Sequence, residues 1–203
     1  MRFMQCVGAV KRKMASGEKG MGMGTEKKLP VLEDEAIFLK SMDEGDTDNI
    51  IRWRNSEFVR RNFIYQKPFT RRGHEEWTRE MIDTGKAVQF IIFRKDEKSP
   101  VGSVYLRDID RIYHKAEYGV FIGERDALGK GYGTRAARLM IRYAFETLKL
   151  HKLMLRVLAK NLPAIRSYEK AGFIREAYLR DEVFLNGCYE DVIYMAVICD
   201  END

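Results

Sequence analysis

The spacing of hydrophobic positions changes along the chain and separates strands from helices. After Val88, three short runs rich in β-branched and aromatic residues follow one another, with turn residues at 95–100 and 110–114 between them. These runs predict three antiparallel strands. Two further strands are predicted at 35–42 and in the run KLMLRVLAK, and a closing hairpin is predicted to turn at Asn186-Gly187, a pair that favours a type I′ turn.

Helical spacing or helix start and stop signals mark four other segments. The first contains Ile50, Ile51 and Trp53 and follows Asp and Thr residues suited to a helix start. The second spans Thr70 to Met81 and ends at Gly85. The third follows a glycine-rich loop, and the fourth is NLPAIRSYEKAGF, which ends at Gly172. The stretch between the first two helices fits neither pattern.

This order of elements predicts an α/β (α+β) fold in a single domain. We expect a mixed, mostly antiparallel, twisted sheet of about six to seven strands flanked by about four helices. The domain is predicted over residues 35–200. Residues 1–34 are basic and rich in Gly and Met, without the apolar core of a signal peptide, and predict a flexible N-terminal extension.

Composition excludes several classes of function. The chain has 203 residues, 45% of them hydrophobic, and a formal net charge of +5, a mild bias that fits an anionic small ligand better than nucleic acid. Its three cysteines and three histidines form no metal-ligand motif, so we expect free thiols in a reducing compartment and no metal. No run approaches the roughly 20 apolar residues of a membrane span, so a cytoplasmic protein without membrane contact is predicted.

The glycine-rich loop is GKGYGT, residues Gly129 to Thr134, between a predicted strand and a predicted helix. Backbone N–H groups at such a helix start bind anions. The spacing disfavours a Walker loop, because Gly123 stands one residue too far away and Gly131 replaces the Mg²⁺-binding hydroxyl. It disfavours a dinucleotide site too, since the spacing is G-x-G-x-G and the next strand ends in Ala-Lys. A simple turn remains the alternative.

Two motifs in order resemble the GNAT (Gcn5-related) N-acetyltransferases. The segment FIGERDALGKGYGTRAARLMIRYAF contains a loop similar to the one that binds the pyrophosphate of acetyl-CoA in that family, and NLPAIRSYEKAGF is similar to the family's later Asn-Tyr-Gly-Phe segment. The resemblance covers residues 35–198 and implies a GNAT-type domain and an acetyl-CoA-dependent N-acetyltransferase. Leu128 departs from the pattern, because the family usually has Gln, Arg or another polar or aromatic residue there.

The resemblance also implies which residues bind acetyl-CoA. Phe121 and Ile122, which end the strand before the loop, would lie along the pantetheine arm through backbone hydrogen bonds. Asn161 would bind the cofactor arm or cap its own helix. The pyrophosphate would be held by the backbone amides of Leu128, Gly129, Lys130, Gly131, Tyr132, Gly133 and Thr134.

Acetyl transfer to an amine needs the amine deprotonated, the thioester carbonyl polarised and the leaving thiolate protonated. The helix that carries Tyr168 passes the sulfur in the family, and a phenol can donate that last proton, so Tyr168 is the candidate acid. Glu117 is the candidate base, because it lies on the strand before the loop and shares a face with Gly119 and Phe121. A core role for Tyr168 and a solvated one for Glu117 are the structural alternatives.

The sequence leaves the acceptor amine open. The runs WRN and RRGHEEW resemble family members that acetylate nucleotide-linked amino sugars, whereas the tail resembles the branch that acetylates ribosomal-protein N-termini and spermidine. Four arginines would disfavour a polyamine, while the acidic run at 43–48 would attract one; the arginines are Arg60, Arg61, Arg71 and Arg72. Small-molecule and peptide amines are thus both possible partners.

Other readings of the whole chain are a non-catalytic acyl-CoA-binding regulatory module and a basic RNA-binding domain. The intact Tyr168 and Asn161 speak against the first. The second lacks an aromatic-basic recognition motif. A homodimer is a further possibility, since dimers are common in the family.

Overall fold

The computed structural model describes residues 30–199, so most of the predicted N-terminal extension, residues 1–29, lies outside the described residues. Eight strands form within 30–199. They are β1 (Leu32–Glu33), β2 (Ile37–Ser41), β3 (Val88–Arg94), β4 (Pro100–Asp110), β5 (Lys115–Ile122), β6 (Lys152–Leu158), β7 (Ile174–Leu185) and β8 (Cys188–Ile198).

Five α-helices accompany these strands in the described part of the chain. They are α1 (Thr47–Asn55), α2 (Glu57–Arg60), α3 (Arg71–Trp77), α4 (Tyr132–Arg142) and α5 (Leu162–Ala171). A π-helical turn extends α3 over Thr78–Ile82 and another extends α4 over Tyr143–Thr147. None of the helices in residues 30–199 is long and apolar enough to cross a bilayer.

All eight strands belong to one sheet, in the order β1-β2-β3-β4-β5-β6-β8-β7. Every neighbouring pair is antiparallel except β5 and β6, which are parallel. A parallel pair needs a long crossover connection, and here α4 supplies it. The two strands pair over only three positions, Lys115↔Lys152 to Glu117↔Met154.

Hydrophobic side chains cover both faces of the sheet. On one face, alternate residues such as Val104 and Tyr118 pack with α4 and α5 in the larger core. On the other face, Ile91 and Phe121 pack against Ile50 and other side chains of α1 and α2 in a second, smaller core. The period-two alternation of β3, β4 and β5 thus serves two layers of helices, and it assigns each strand residue to one face.

The predicted single α/β domain with a mixed, mostly antiparallel sheet is confirmed, with one more strand and one more helix than expected. The additional strand is β1, two residues that lie before the predicted domain start at residue 35 and pair with β2. The additional helix is α2, one turn that Ser56 separates from α1 by adopting an extended backbone with ψ of 137°. Both are too short to show a period.

Candidate active site

β5 and β6 separate after Glu117 and Met154, where their pairing ends, although each strand continues for several residues. This leaves a wedge between Tyr118–Ile122 on β5 and Leu155–Leu158 on β6, which we call the strand gap. Among the strands of residues 30–199, none pairs with the backbone of β5 along the gap on that side. An extended ligand can therefore take the place of a strand there.

The register of β4 with β5 decides which backbone groups face the strand gap. The Gly123 N–H donates to the Val101 carbonyl at 2.7 Å, and the register continues as Ser103↔Phe121 and Tyr105↔Gly119. Because hydrogen-bonded pairs alternate along an antiparallel ladder, Phe121 bonds towards β4, whereas Val120 and Ile122 turn their N–H and C=O groups towards the gap. The backbone groups of Phe121 are therefore used within the sheet, contrary to the prediction that they contact the pantetheine arm.

The glycine loop begins α4 next to the end of β5. Gly129 and Gly131 have φ of 75° and 81°, a left-handed conformation that L side chains rarely adopt. Gly131 is the N-cap residue, and with no side chain it offers no cap to the first turn. Within residues 30–199, no acceptor pairs with the N–H groups of residues 129–134, and the first α4 amide with a partner is that of Arg135, which donates to Gly131.

The Leu128 amide differs from the other predicted loop amides. Its N–H donates to the Arg125 carbonyl at 3.2 Å, at the end of a 3₁₀ turn formed by Arg125–Ala127. This N–H is therefore used inside the protein, contrary to the prediction that it helps to bind a pyrophosphate.

Asn161 caps α5, because its side-chain oxygen accepts from the Ala164 N–H at 3.3 Å.

Two of the basic side chains near the loop, those of Arg135 and Arg138, form hydrogen bonds to other parts of the protein. Arg135 donates to Asp34 at 3.0 Å and also pairs with Glu35, and Arg138 donates to the Lys170 carbonyl at 2.7 Å. Thr134 shares a hydrogen bond of 2.8 Å with Ser167, which ties α4 to α5. Lys130 is exposed at the loop itself, where its charge adds to that of the unpaired amides.

Tyr168 brings a phenol to the closed end of the strand gap. Its ring packs edge to face on Tyr118, the first β5 residue beyond the paired segment, with centroids 6.1 Å apart. Burial raises the pKa of Tyr168, with a smaller contribution from Tyr105. The hydroxyl therefore stays protonated at neutral pH.

Tyr118 is a second phenol at this position, and sequence reasoning missed it. Its hydroxyl is buried and has no hydrogen-bond partner among residues 30–199, and burial raises its pKa well above the ordinary value. A buried hydroxyl without a partner is costly, so Tyr118 is a candidate contact for a ligand atom. The only available signal was a tyrosine on the predicted strand one position after Glu117.

Glu117 lies on the opposite face of the sheet from Tyr118. The Arg107 guanidinium donates to its Oε1 at 2.6 Å, and the Arg156 guanidinium approaches the two carboxylate oxygens at 3.4 and 3.5 Å. Its side chain is 20% exposed. The structure therefore places the predicted base beside the gap, but between two cations.

Arg54 of α1 adds a third cation to this face. Its guanidinium stacks on Phe63, with the central carbon 3.4 Å from the ring centroid. Its Nη1 atom is buried and has no hydrogen-bond partner among the described residues. Tyr105, opposite Gly119 in the sheet, completes the group. We call Arg54, Tyr105, Arg107, Glu117 and Arg156 the cationic face; sequence reasoning missed Arg54, which stood inside the run WRN.

The charges that the sequence assigned to the acceptor region are largely paired off. Arg71 pairs with Asp48, and Arg72 donates to Glu76 at 2.9 Å. In the acidic run at 43–48, Asp43 also accepts from Lys40 at 2.6 Å. These pairs offset one another, whereas Arg60 and Arg61 have no carboxylate within salt-bridge distance among residues 30–199. In residues 30–199, no group of three or more Asp, Glu, His or Cys side chains is placed to hold a metal ion.

Comparison with known proteins gives the same family as the site. The model of the acetyltransferase (GNAT) domain family matches residues 37–174, more than half of the chain. The spermidine N(1)-acetyltransferase of Vibrio cholerae is 29% identical over 163 residues, covering 80% of this chain and 92% of that protein. A putative ribosomal N-acetyltransferase of Bacillus subtilis is 29% identical over 123 residues, covering 61% and 65%.

A solved structure supports the match. The crystal structure of the spermidine N-acetyltransferase from Vibrio cholerae, in complex with CoA and spermine, superimposes with a TM-score of 0.75 at 28% identity, covering 81% of this chain and 96% of that one. The chain therefore belongs to the GNAT acetyltransferase family and is an N-acetyltransferase that uses acetyl-CoA.

Proposed function

We propose that the protein transfers the acetyl group of acetyl-CoA to a primary amine, which attacks the thioester directly in the strand gap. One observation carries the proposal: the gap opens beside a helix N-terminus with unpaired amides and has a buried phenol at its closed end. The three parts suit the pyrophosphate, the pantetheine arm and the sulfur of one ligand.

Six loop amides, those of residues 129–134, would bind the pyrophosphate, assisted by Lys130 and the dipole of α4. The backbone groups of Val120 and Ile122 would bind the pantetheine arm in the manner of an added strand. The amide nitrogen of Asn161, whose oxygen is used by the helix cap, would be free to donate to the same arm.

Acetyl-CoA supplies an activated acyl group, and the chain's own residues manage the protons. As the amine adds and the carbon–sulfur bond breaks, Tyr168 would donate its phenolic proton to the departing thiolate. Burial raises the pKa of Tyr168, so the phenol carries its proton at neutral pH when the thiolate departs.

Glu117 is the proposed base for the ammonium proton of the acceptor, directly or through water. Arg107 and Arg156 orient the carboxylate at the side of the gap. They also create a positive field, which favours the neutral form of a bound amine and so shares the task of deprotonation.

Acceptor choice is the finer part of the proposal. The names of the relatives make polyamines the first class of amine to assay. Protein N-termini and amino sugars, free or linked to nucleotides, are the other classes.

A Vibrio cholerae spermidine N-acetyltransferase has been solved as a dodecamer. We propose a homo-oligomer here too, supported by apolar side chains exposed on β7 and β8, among them Phe184 and Tyr189.

A screen of amines with acetyl-CoA tests the function. Thiol release should depend on both acetyl-CoA and one amine class, and mass spectrometry should find that amine heavier by one acetyl group. The competing function is a non-catalytic acyl-CoA-binding module, which predicts CoA binding by calorimetry without thiol release. Failure to bind any CoA species would contradict both functions.

A further inference from the structure

Arg54 stands out among the arginines of the cationic face, because its charge has no counterion. Arg107 pairs with Glu117 and approaches Asp108 at 3.7 Å, and Arg156 approaches Glu117. Among residues 30–199, no carboxylate lies within salt-bridge distance of Arg54. Its Nη1 is buried without a partner as well.

Burying a guanidinium without a carboxylate partner is costly, and aromatic rings supply the attraction that partly offsets this cost. The central carbon of Arg54 lies 3.4 Å from the Phe63 ring centroid, 5.4 Å from that of Phe69 and 6.0 Å from that of Phe121. Aromatic rings on several sides restrict the orientation of the guanidinium and shield part of it from water, but they provide no hydrogen-bond acceptor.

Arg54 also lies at the correct face for an acceptor. Helices α4 and α5 cover the other face of the sheet, where Tyr118 and Tyr168 meet. We therefore expect an amine to enter the strand gap from the cationic face, which carries Glu117. Phe121, next to Arg54, is two residues along β5 from Gly119, so a short acceptor can span from the gap to the guanidinium.

We propose that the acceptor is a primary amine that carries an anionic group, a carboxylate or a phosphate, and that Arg54 binds that group. The proposal rests on the proposed acetyl transfer and names its substrate class. A fixed guanidinium forms strong, charge-assisted hydrogen bonds to either anion. The same field repels a polyamine, whose second ammonium would lie among three arginines.

The first test compares amines of similar length that differ at the far end. They are 4-aminobutanoate, 3-aminopropyl phosphate, 4-amino-1-butanol and 1,4-diaminobutane, assayed by thiol release. We expect kcat/KM for at least one anionic amine to exceed that of the neutral amine about tenfold or more, and the diamine to be poorest. The better anion identifies carboxylate or phosphate as the recognised group.

Arg54→Met should reduce the ratio of anionic to neutral kcat/KM towards one. Arg111→Gln, which removes an exposed charge in the turn between β4 and β5, is the matched control and should keep the wild-type ratio. A wild-type preference for the neutral amine or the diamine, or an unchanged ratio in Arg54→Met, would overturn the proposal while leaving acetyl transfer intact.

Two melting-temperature measurements do not depend on turnover. Without ligand, Arg54→Met should melt no lower than the wild type, because an unpaired buried charge is removed, whereas a structural arginine would cause a loss. Inorganic phosphate or 4-aminobutanoate should raise the melting temperature of the wild type more than that of Arg54→Met. If no amine is turned over, the proposed function fails, and equal stabilisation of both proteins would overturn the anion site by itself.

Discussion

The Tyr105 ring lies directly over Gly119 of the neighbouring strand, so closely that an added Cβ at Gly119 would stand 2.3 Å from the ring. Gly119 is thus the position that lets Tyr105 lie flat against β5, at the centre of the cationic face. A glycine inside a strand often marks a close approach by another group. At Gly119 that group is the Tyr105 ring, so the glycine determines the shape of the acceptor cleft.

Gly119→Ala should displace the Tyr105 ring into the cleft. We expect unfolding free energy to fall by about 1–3 kcal/mol, as for other overpacked sites, and the KM for the amine to rise. Denaturant unfolding and amine titrations measure the two effects. In a Tyr105→Ala background the same substitution should cost much less, and full additivity of the two changes would show that the ring is not the obstacle.

Gly131→Ala should weaken CoA binding by about tenfold or more, because the new side chain opposes the left-handed backbone and moves the loop amides out of alignment. Calorimetry with CoA measures it. Gly187→Ala is the control, since Gly187 has φ of 87° in the exposed hairpin turn. Gly187→Ala should lower stability by a similar amount but keep the wild-type affinity for CoA. If Gly131→Ala bound CoA as tightly as Gly187→Ala, the glycine loop would not be the binding site.

Glu117→Gln should lower kcat with the acceptor amine by about tenfold or more if the carboxylate accepts the ammonium proton. Glu190→Gln is matched, because Glu190 is also a strand glutamate in a salt bridge, with Lys160, and its side chain is 22% exposed. A normal kcat in Glu117→Gln would show that Glu117 is not the base, and that solvent and the positive field of the arginines suffice to deprotonate the amine.

His74 should make stability fall on acidification. It is buried with both ring nitrogens unpartnered among the described residues, and burial lowers its pKa from 6.5. The unfolded chain therefore binds the proton first, so the stability that neutral His74 preserves is present above pH 6.5 and is lost as the pH falls through the folded pKa.

The loss of melting temperature between pH 7.5 and pH 5.5 should accordingly be smaller in His74→Phe than in the wild type. His151→Gln, a change at an exposed histidine, should retain the wild-type loss. An equal loss in all three proteins would remove His74 as the cause.

Most of the fold could be predicted because its elements are long enough to show a period. The strand runs after Val88 and the helix after the glycine loop alternate for seven residues or more, whereas β1 and α2 do not. The Asn186-Gly187 turn was predicted from its dipeptide, and both residues have the positive φ that a type I′ turn requires, 51° and 87°.

The site was less predictable because it depends on partners that are distant in sequence. Arg135 follows the glycine loop directly, but its charge is used by Asp34 and Glu35, about a hundred residues earlier in the chain. The Leu128 N–H donates to a carbonyl of a local 3₁₀ turn, and no sequence pattern predicted that turn. Arg54 could be assigned to the site only once the packing of α1 on the sheet was known. From sequence alone, a single arginine in a helix is usually interpreted as a solvated charge.

The central claim is that Tyr168 supplies the proton for acetyl transfer in the strand gap. The most direct measurement is kcat for thiol release in Tyr168→Phe with an amine that the wild type acetylates, together with the calorimetric Kd for CoA. We predict a kcat lower by about 10²- to 10³-fold with little change in Kd, because only the proton donor is removed. A wild-type kcat in a variant that binds CoA normally would contradict the account.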